Sequence, residues 1–407
     1  MNKRVLTFAL FFAALMISPR LVEPAYYGFL VAFVALLLVQ SEWHGIPMQL
    51  RVGVSLRTLF YALVTLLIAG VTLSHGPALR DLLRDLGAMF AFFVGRHLFV
   101  AYRGKDLQTE ALEALSAMGV MVSIATIIAA LVAFAAGASA YIWRGEYVPF
   151  AHQWIPFALI ANIYLAEIDP ATARKRILYA MLCFCATVAS LSRTDLLLEI
   201  VFGLAMLYRF RRELLLRFAG LLKIGTALAV LALFAPLLLQ LDVVQSRIAR
   251  GVGEGDQSVG WRLMEHIALY DHFVRGTTAE TLFGFGLGAR VPLPPGIVDF
   301  NNNTSIPTLH DSFGTIALKC GAFGVLLVIG YIVATWRRSQ AFKDAPGAPL
   351  RSAGRWIVLI CLGKALTLHG LTEWSQVVIF GIGCMLMLTN TRIEQSAQAP
   401  APAALSP

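Results

Sequence analysis

Apolar runs bounded by charged residues recur along almost the whole chain, and this repetition restricts the fold more than any other feature. Inside a bilayer every backbone polar group must pair within the protein, so such runs are expected to form helices that cross the membrane. The shorter runs need flanking residues, because a crossing helix takes roughly 20 residues. The twelve predicted spans lie near residues 5–17, 26–39, 59–73, 86–102, 115–136, 150–166, 177–191, 196–207, 222–239, 313–335, 356–368 and 377–388.

The composition supports an all-α polytopic membrane protein with about 12 transmembrane helices. Of the 407 residues, 58% are hydrophobic and 14% are charged, whereas soluble chains have about 45–50% and about 25%. This excludes a soluble enzyme with a single anchor, a disordered chain and a secreted disulfide scaffold. The five cysteines all fall in apolar runs, so we expect neither a structural disulfide nor a metal cluster.

The net charge of +9 indicates membrane orientation rather than nucleic-acid binding. With the first residue in the cytoplasm, nineteen basic residues fall in inner loops and five in the short outer loops. This asymmetry follows the positive-inside rule and puts both termini in the cytoplasm. The first run resembles a signal sequence, with Lys3 and Arg4 before it. No small-residue cleavage site follows, so we interpret it as a retained anchor.

The predicted organisation has four parts. Residues 1–241 form transmembrane helices 1–9, residues 242–309 form a large loop outside the cytoplasm, residues 310–392 form helices 10–12, and residues 393–407 form a disordered cytoplasmic tail. Within the loop, the glycine-rich stretch 283–288 is expected to be a flexible turn. Residues 259–274 have apolar side chains interleaved with polar ones, which predicts a short amphipathic helix over the membrane.

Three residues that face outward in this topology are the strongest candidates for chemistry. Arg193 lies in a tight turn between two spans, Arg262 lies early in the large loop, and His310 opens the span that follows it. An arginine fork matches phosphate oxygens, and an imidazole is suited to removing a proton near neutral pH. The alternatives are that the arginines only reach lipid headgroups and that the histidine is structural.

Three neighbours are candidate supporting residues. Glu265 and His266 follow Arg262 at spacings of three and four, which puts all three on one face of the predicted loop helix. Asp311 either orients the ring of His310 or caps the helix that begins there. We expect these positions to converge on one site at the outer face.

Other residues rank lower. His266 and His272 lie six apart, which is not a one-face spacing, so a metal site is not expected. Some charged residues fall within predicted spans, where either a function or a misplaced span end explains them: Arg96, His97 and Lys364. Four aromatic residues are expected to anchor the chain at the membrane interface, with sugar stacking as the alternative: Tyr147, Trp154, Trp261 and Trp374.

The order of these elements resembles the O-antigen ligase and polymerase superfamily of bacterial inner-membrane glycosyltransferases, which have many spans and one large periplasmic loop late in the chain. The matching motifs are Ser190-Leu-Ser-Arg193, Trp261-Arg262, Phe283-Gly-Phe-Gly286, and His310-Asp-Ser-Phe313 leading into Gly321-Ala-Phe-Gly324. They cover roughly residues 187–330, and the first half matches only in its pattern of spans. The resemblance implies a GT-C-like fold.

The resemblance also implies an activity: an O-antigen ligase of the bacterial inner membrane, which transfers a glycan from undecaprenyl diphosphate to lipid A-core on the periplasmic side. The implied partners are the carrier-linked donor, the lipid A-core acceptor and membrane lipids, with no nucleic acid, and neither a cofactor nor a metal is implied. Arg193 and Arg262 would bind the diphosphate, and His310 would activate the acceptor hydroxyl. Relatives often have Asn after this His, so Asp311 departs from the family pattern.

Other functions stay open at this stage. An O-antigen polymerase, or another lipid-linked-glycan ligase, would share the donor and differ in the acceptor. A transporter or flippase would predict acidic residues within spans, broken helices and internal symmetry. Glu199 is the clearest acidic residue in a predicted span, and no internal repeat is evident. We therefore favour the ligase.

Overall fold

A computed structural model describes residues 56–97, 106–138, 150–216, 257–298, 302–341, 347–367 and 371–388. The predicted spans at 5–17, 26–39 and 222–239, the predicted tail and Tyr147 lie outside the described residues. The described part is mostly helical. Two of its helical segments are long and apolar enough to cross a membrane, at Thr109–Ala135 and Ser312–Gln340.

Each of the nine remaining predicted spans corresponds to a helix, although the ends differ. The predicted span 150–166 is divided, because the 3-10 helix Phe150–Trp154 precedes the α-helix that Pro156 opens. The helices are α1 (Leu56–His75), α2 (Leu79–His97), α3 (Asp106–Ala135), α4 (Ile155–Ile168), α5 (Ala173–Ala189), α6 (Arg193–Leu216), α9 (Ser312–Gln340), α10 (Ala348–Ala365) and α11 (Trp374–Met387).

The large loop has its own secondary structure. Helix α7 (Gln257–Arg275) confirms the helix predicted at 259–274, and the short α8 (Thr278–Phe283) follows it. Strands β1 (Val291–Pro292) and β2 (Ser305–Ile306) pair antiparallel, an element that the all-α prediction did not contain. A small apolar core joins these elements to the start of α9: Ala268, Leu269, Phe285, Val291, Leu293, Ile306, Leu309 and Leu318.

Small residues let the helices of the bundle approach closely. Gly119 of α3 lies against Ala158 of α4, and Gly354 of α10 lies against Gly383 of α11. A side chain added at either Gly119 or Gly354 would collide with the neighbouring helix. Close backbone approach of this kind drives helix association in lipid, where apolar burial provides little preference for one helix partner over another.

Polar contacts join the helix ends at one end of the bundle. The last turn of α10 contacts the first turn of α6 through Lys364 and Asp195. The segment before α11 contacts the start of α9, where the amide of Leu371 donates to Oγ of Ser312. We call this the loop end, because the described loop residues, 257–298 and 302–311, pack beside the start of α9.

The opposite end is joined by a separate set of polar contacts. Arg176 near the start of α5 pairs with Glu113 near the start of α3. Arg209 of α6 pairs with Glu167 near the end of α4. Like ends of alternate helices therefore meet, as in a bundle whose successive helices run up and down.

The glycine-rich stretch 283–288 is not the flexible turn that the sequence predicted. Its residues 284–288 are buried, and it packs where Gly321, with φ 64°, interrupts α9. The interrupted helix leaves carbonyl groups available, so Leu318 accepts from the amide of Phe285 and Lys319 accepts from the amide of Gly286. These two buried amides are thereby paired, and the amides of Leu287 and Gly288 donate to Thr72 and Asp85, which fixes the loop on the bundle.

Candidate functional site

A buried carboxylate on α7 holds the histidine that precedes α9. Glu265 is 1% exposed. Its Oε1 atom lies 2.8 Å from Nδ1 of His310, and its Oε2 atom accepts from the backbone amide of His310 at 2.9 Å. The indole nitrogen of Trp261, one turn earlier, donates to Oε1 at 2.7 Å. Three donors therefore fix one carboxylate, and the carboxylate fixes the imidazole ring.

The electrostatics of this pair determine which nitrogen of His310 acts as the base. Burial alone would raise the pKa of Glu265, but the hydrogen bonds and charge of His310, with the bond from Trp261, lower it below its ordinary 4.5. An ionised carboxylate only accepts hydrogen bonds, so Nδ1 of His310 carries the proton. The basic nitrogen of the neutral ring is therefore Nε2, on a side chain that is 34% exposed.

The sequence left two roles for Asp311, and the structure assigns it the cap. Its Oδ1 and Oδ2 atoms accept from the amides of Phe313 and Gly314 in the first turn of α9, at 3.0 and 2.7 Å. Glu265, not Asp311, orients the imidazole ring of His310. Asp and Asn cap helices about equally well, so an Asn at this position could fill the same role.

His266 links the two elements on the exposed side of α7. Its Nδ1 atom lies 2.7 Å from the carbonyl oxygen of Arg262, and its Nε2 atom lies 3.6 Å from Oδ2 of Asp311. Glu265 and His266 therefore both reach the segment before α9. They do so from different sides of α7, because Glu265 is buried and His266 is exposed.

Arg262 lies on α7 one turn before Glu265, and its carbonyl oxygen contacts His266. Its side chain is half-buried, and its Nε atom is buried without a hydrogen-bond partner among the described residues. Such a group is rare in folded proteins and calls for a partner. A bound anion would supply one.

Arg193 begins α6 at the loop end, and its side chain is exposed. The structure thus brings the predicted loop residues together with the predicted base: Arg262, Glu265, His266, His310 and Asp311. Arg193 lies at the same end of the bundle but on a different helix, and polar contacts through α10 and α11 connect its turn with the start of α9.

Three of the four motifs found in the sequence meet in the structure. Trp261, from the second motif, donates to the carboxylate that holds His310 of the fourth. Gly284, from the third motif, lies against Gly321, which begins the Gly321-Ala-Phe-Gly324 stretch that follows the fourth. Both glycines have positive φ, 81° and 64°, and a side chain at either one would collide with the backbone of the other segment.

Two aromatic residues have roles other than the predicted interface anchoring. Trp154 is 2% exposed and packs in the apolar core of the bundle, so its prediction as an anchor was wrong. Trp261 is half-buried, and its indole nitrogen donates a hydrogen bond to Glu265. The side chains of Trp374, Arg96 and His97 lie outside what the structure describes.

Sequence reasoning did not find the partners of Lys364. This side chain is 0% exposed and pairs with Asp195, also buried, at 2.7 Å. The predicted span end was misplaced, because α10 ends at Ala365, but Lys364 is buried in its last turn rather than exposed in a loop. The sequence showed an acidic residue at the edge of one predicted span and a basic residue within another. Because 169 positions separate them, their spacing did not predict that they would pair.

Within the described residues, no group of three His, Cys, Asp or Glu side chains is placed to hold a metal ion. The protein is therefore mostly helical, has helices long enough to cross a membrane, and carries a polar site at one end of its helix bundle. Comparison of the chain with profiles of known protein families and with curated proteins gives no match.

Proposed function

We propose that this protein is an O-antigen ligase of the bacterial inner membrane. It transfers a glycan from undecaprenyl diphosphate to lipid A-core on the periplasmic side, with both of its termini in the cytoplasm. The observation that supports this most directly is the hydrogen bond between Glu265 and His310, one helical turn from an arginine whose buried Nε atom has no partner in the described structure.

His310 is the proposed general base. Its Nε2 atom takes the proton of the acceptor hydroxyl while that oxygen attacks the anomeric carbon of the donor sugar. The bond between the anomeric carbon and the diphosphate oxygen breaks, and undecaprenyl diphosphate leaves with the electron pair. One displacement inverts the anomeric configuration. Glu265 stabilises the imidazolium as it forms, because its carboxylate is ionised and lies 2.8 Å from Nδ1.

Arg193 and Arg262 are the proposed ligands of the diphosphate. A guanidinium group offers several donors in a plane and remains charged, so it holds a phosphate in the ground state and stabilises the charge that grows as the diphosphate departs. The unpaired Nε atom of Arg262 fits this role. The two arginines would supply the positive charge that a divalent cation provides in many nucleotide-sugar transferases, so the transfer is proposed to be metal-independent.

The outer face of α7 fits a site at a lipid surface. Four apolar side chains at helical spacing form an exposed stripe, whereas Glu265 and Leu269 face the protein. Membrane lipids are the proposed contact of this stripe, which would hold the site at the level where both lipid-linked substrates are anchored. The stripe consists of Leu263, Ile267, Tyr270 and Val274.

Two other functions are outcomes of the same test. An O-antigen polymerase, or another lipid-linked-glycan ligase, would use the same donor and base with a different acceptor. A transporter is the less favoured alternative, and the observation on its side is a buried carboxylate within the bundle, Glu199, which accepts from Thr187 at 2.7 Å.

The decisive experiment is glycan transfer by the purified protein in lipid, with carrier-linked glycan and lipid A-core supplied and a chelator present. Wild type is compared with His310→Ala and with Asp311→Asn, which alters the adjacent residue but retains a capping side chain. Transfer to lipid A-core by wild type and Asp311→Asn but not by His310→Ala would support the proposal. Extension of the donor glycan instead would indicate a polymerase, and no reaction with a verified donor would favour transport.

A further inference from the structure

A buried ion pair lies next to the turn that carries Arg193, because one of its partners, Asp195, is two residues further along α6. Nζ of Lys364 lies 2.7 Å from Oδ1 of Asp195, and the two residues are 0% and 1% exposed. Lys364 also donates to the carbonyl oxygen of Gln153. The second carboxylate oxygen of Asp195 accepts from Oγ of Ser192 at 2.9 Å, and Nε2 of His152 lies 4.0 Å from it.

The turn above this pair has an unusual backbone. Leu191 has φ 57°, in the left-handed region that leucine rarely adopts. Such a conformation persists only where surrounding interactions hold it. Here Oγ of Ser190 donates to the carbonyl oxygen of Thr187 at 2.7 Å and accepts from the amide of Ser192 at 3.3 Å, while Ser192 is held by Asp195. The turn delivers Arg193 as the first residue of α6.

The same polar layer reaches the start of α9, which the proposed base directly precedes. Gln376, in the first turn of α11, donates to the side chain of Gln153 and to Oε2 of Glu373. Just before that helix, the amide of Leu371 donates to Oγ of Ser312 at 2.9 Å, two residues after His310. The ion pair therefore belongs to the layer that connects the start of α6 with the start of α9.

We propose that Asp195 and Lys364 are positioning residues, which hold the strained turn in place and thereby fix Arg193 relative to the proposed base. Removal of one partner leaves an uncompensated charge in the bundle, which is far more costly than neutralising both. The turn would then rearrange to let water or another group reach the remaining charge, and Arg193 would move with it. This inference rests on the proposed function in assigning Arg193 to the donor diphosphate.

The test is a double-mutant cycle with Asp195→Asn, Lys364→Met and the double variant, each assayed for glycan transfer at varied donor and varied acceptor concentration. A second readout does not depend on activity. It measures the rate at which a water-soluble maleimide labels Arg193→Cys, with and without each substitution, in a Cys185→Ser background because Cys185 is exposed. The control is Glu167→Gln, which removes one charge of an ion pair of the same 2.7 Å length at the opposite end of the bundle.

Each single variant is expected to raise the KM for the donor about tenfold or more, which corresponds to a loss of roughly 1.4 kcal/mol in donor binding, with the KM for the acceptor unchanged. The double variant is expected to lie closer to wild type than either single variant, because it leaves no buried charge unpaired. Labelling of Arg193→Cys should change with each single substitution and return towards the original rate in the double. Glu167→Gln should alter neither readout.

Folded single variants with wild-type donor KM and unchanged labelling would overturn the inference, as would a loss that falls on kcat alone while labelling stays constant. If a single variant does not fold, the double variant and its labelling rate decide the question. If wild type transfers no glycan, the proposed function fails, while labelling still decides whether the pair positions residue 193.

Discussion

Nδ1 of His310 lies 2.8 Å from Oε1 of Glu265, although 45 positions separate the two residues. The carboxylate holds the ring by its side chain and by its backbone amide, and Trp261 holds the carboxylate. The pair joins the loop to the start of α9, so the proposed base is fixed only when the loop is docked.

Glu265→Gln is predicted to lower glycan transfer on the order of 100-fold without preventing folding. The amide can donate to the ring, which would favour the tautomer with the proton on Nε2 and remove the base. It also removes the negative charge that stabilises the imidazolium. The measurement is the transfer rate of purified variants at saturating substrate. Asp311→Asn is the matched control, and equal losses in both variants would contradict the assignment of Glu265.

Arg262→Lys is predicted to lose most of the transfer activity while retaining the positive charge, because the fork that binds a phosphate bidentately is lost. Arg193→Lys should behave in the same way. Arg275→Lys is the control, since Arg275 is exposed in the last turn of the same helix. Donor titrations of the purified variants provide the measurement, and wild-type turnover in Arg262→Lys would rule out its role with the diphosphate.

The helices were predictable from sequence because apolar runs define them, but their ends were not. The run that predicted a span from residue 115 is part of α3, which begins at Asp106. The additional turns mix polar and apolar residues. Leu112 is buried in the core of the bundle, and Glu113 pairs with Arg176 of a neighbouring helix. Tertiary partners of this kind lie dozens of positions away and leave no local signal.

The candidate site was predictable in its residue types but not in its pairings. An imidazole at a helix start and arginines at span ends can be recognised in the sequence because their side chains are suited to the proposed chemistry. Whether Glu265 or Asp311 contacts the ring depends instead on how α7 packs against the start of α9. The sequence left both roles of Asp311 open, and the hydrogen bonds assign it to the cap. Lys364 and Asp195 were likewise separated by too much sequence to be joined.

Gly286→Ala is predicted to destabilise the protein more than Gly296→Ala. Both glycines have positive φ, 87° and 82°, so each alanine pays a backbone cost of about 1 kcal/mol or more. At Gly286 the new side chain would also lie 2.7 Å from Cα of Thr72, whereas Gly296 has open space. Thermal unfolding in detergent would compare them, and equal shifts in Tm would contradict the docking of the loop on α1.

Glu280 links the loop to α1 through a pH-dependent interaction with His75. The backbone amide of Thr277 and the ring of His75, whose Nε2 lies 2.9 Å from Oε1, lower the pKa of Glu280 to about 2 from its ordinary 4.5. Because the folded pKa is depressed, the carboxylate contributes its full stabilisation above pH 4.5 and loses it as the pH falls towards 2. Glu280→Gln should therefore unfold at a lower temperature than wild type near neutral pH, and the difference should shrink below pH 4.5. A difference in Tm that stays constant through that range would show that Glu280 does not stabilise the loop through its charge.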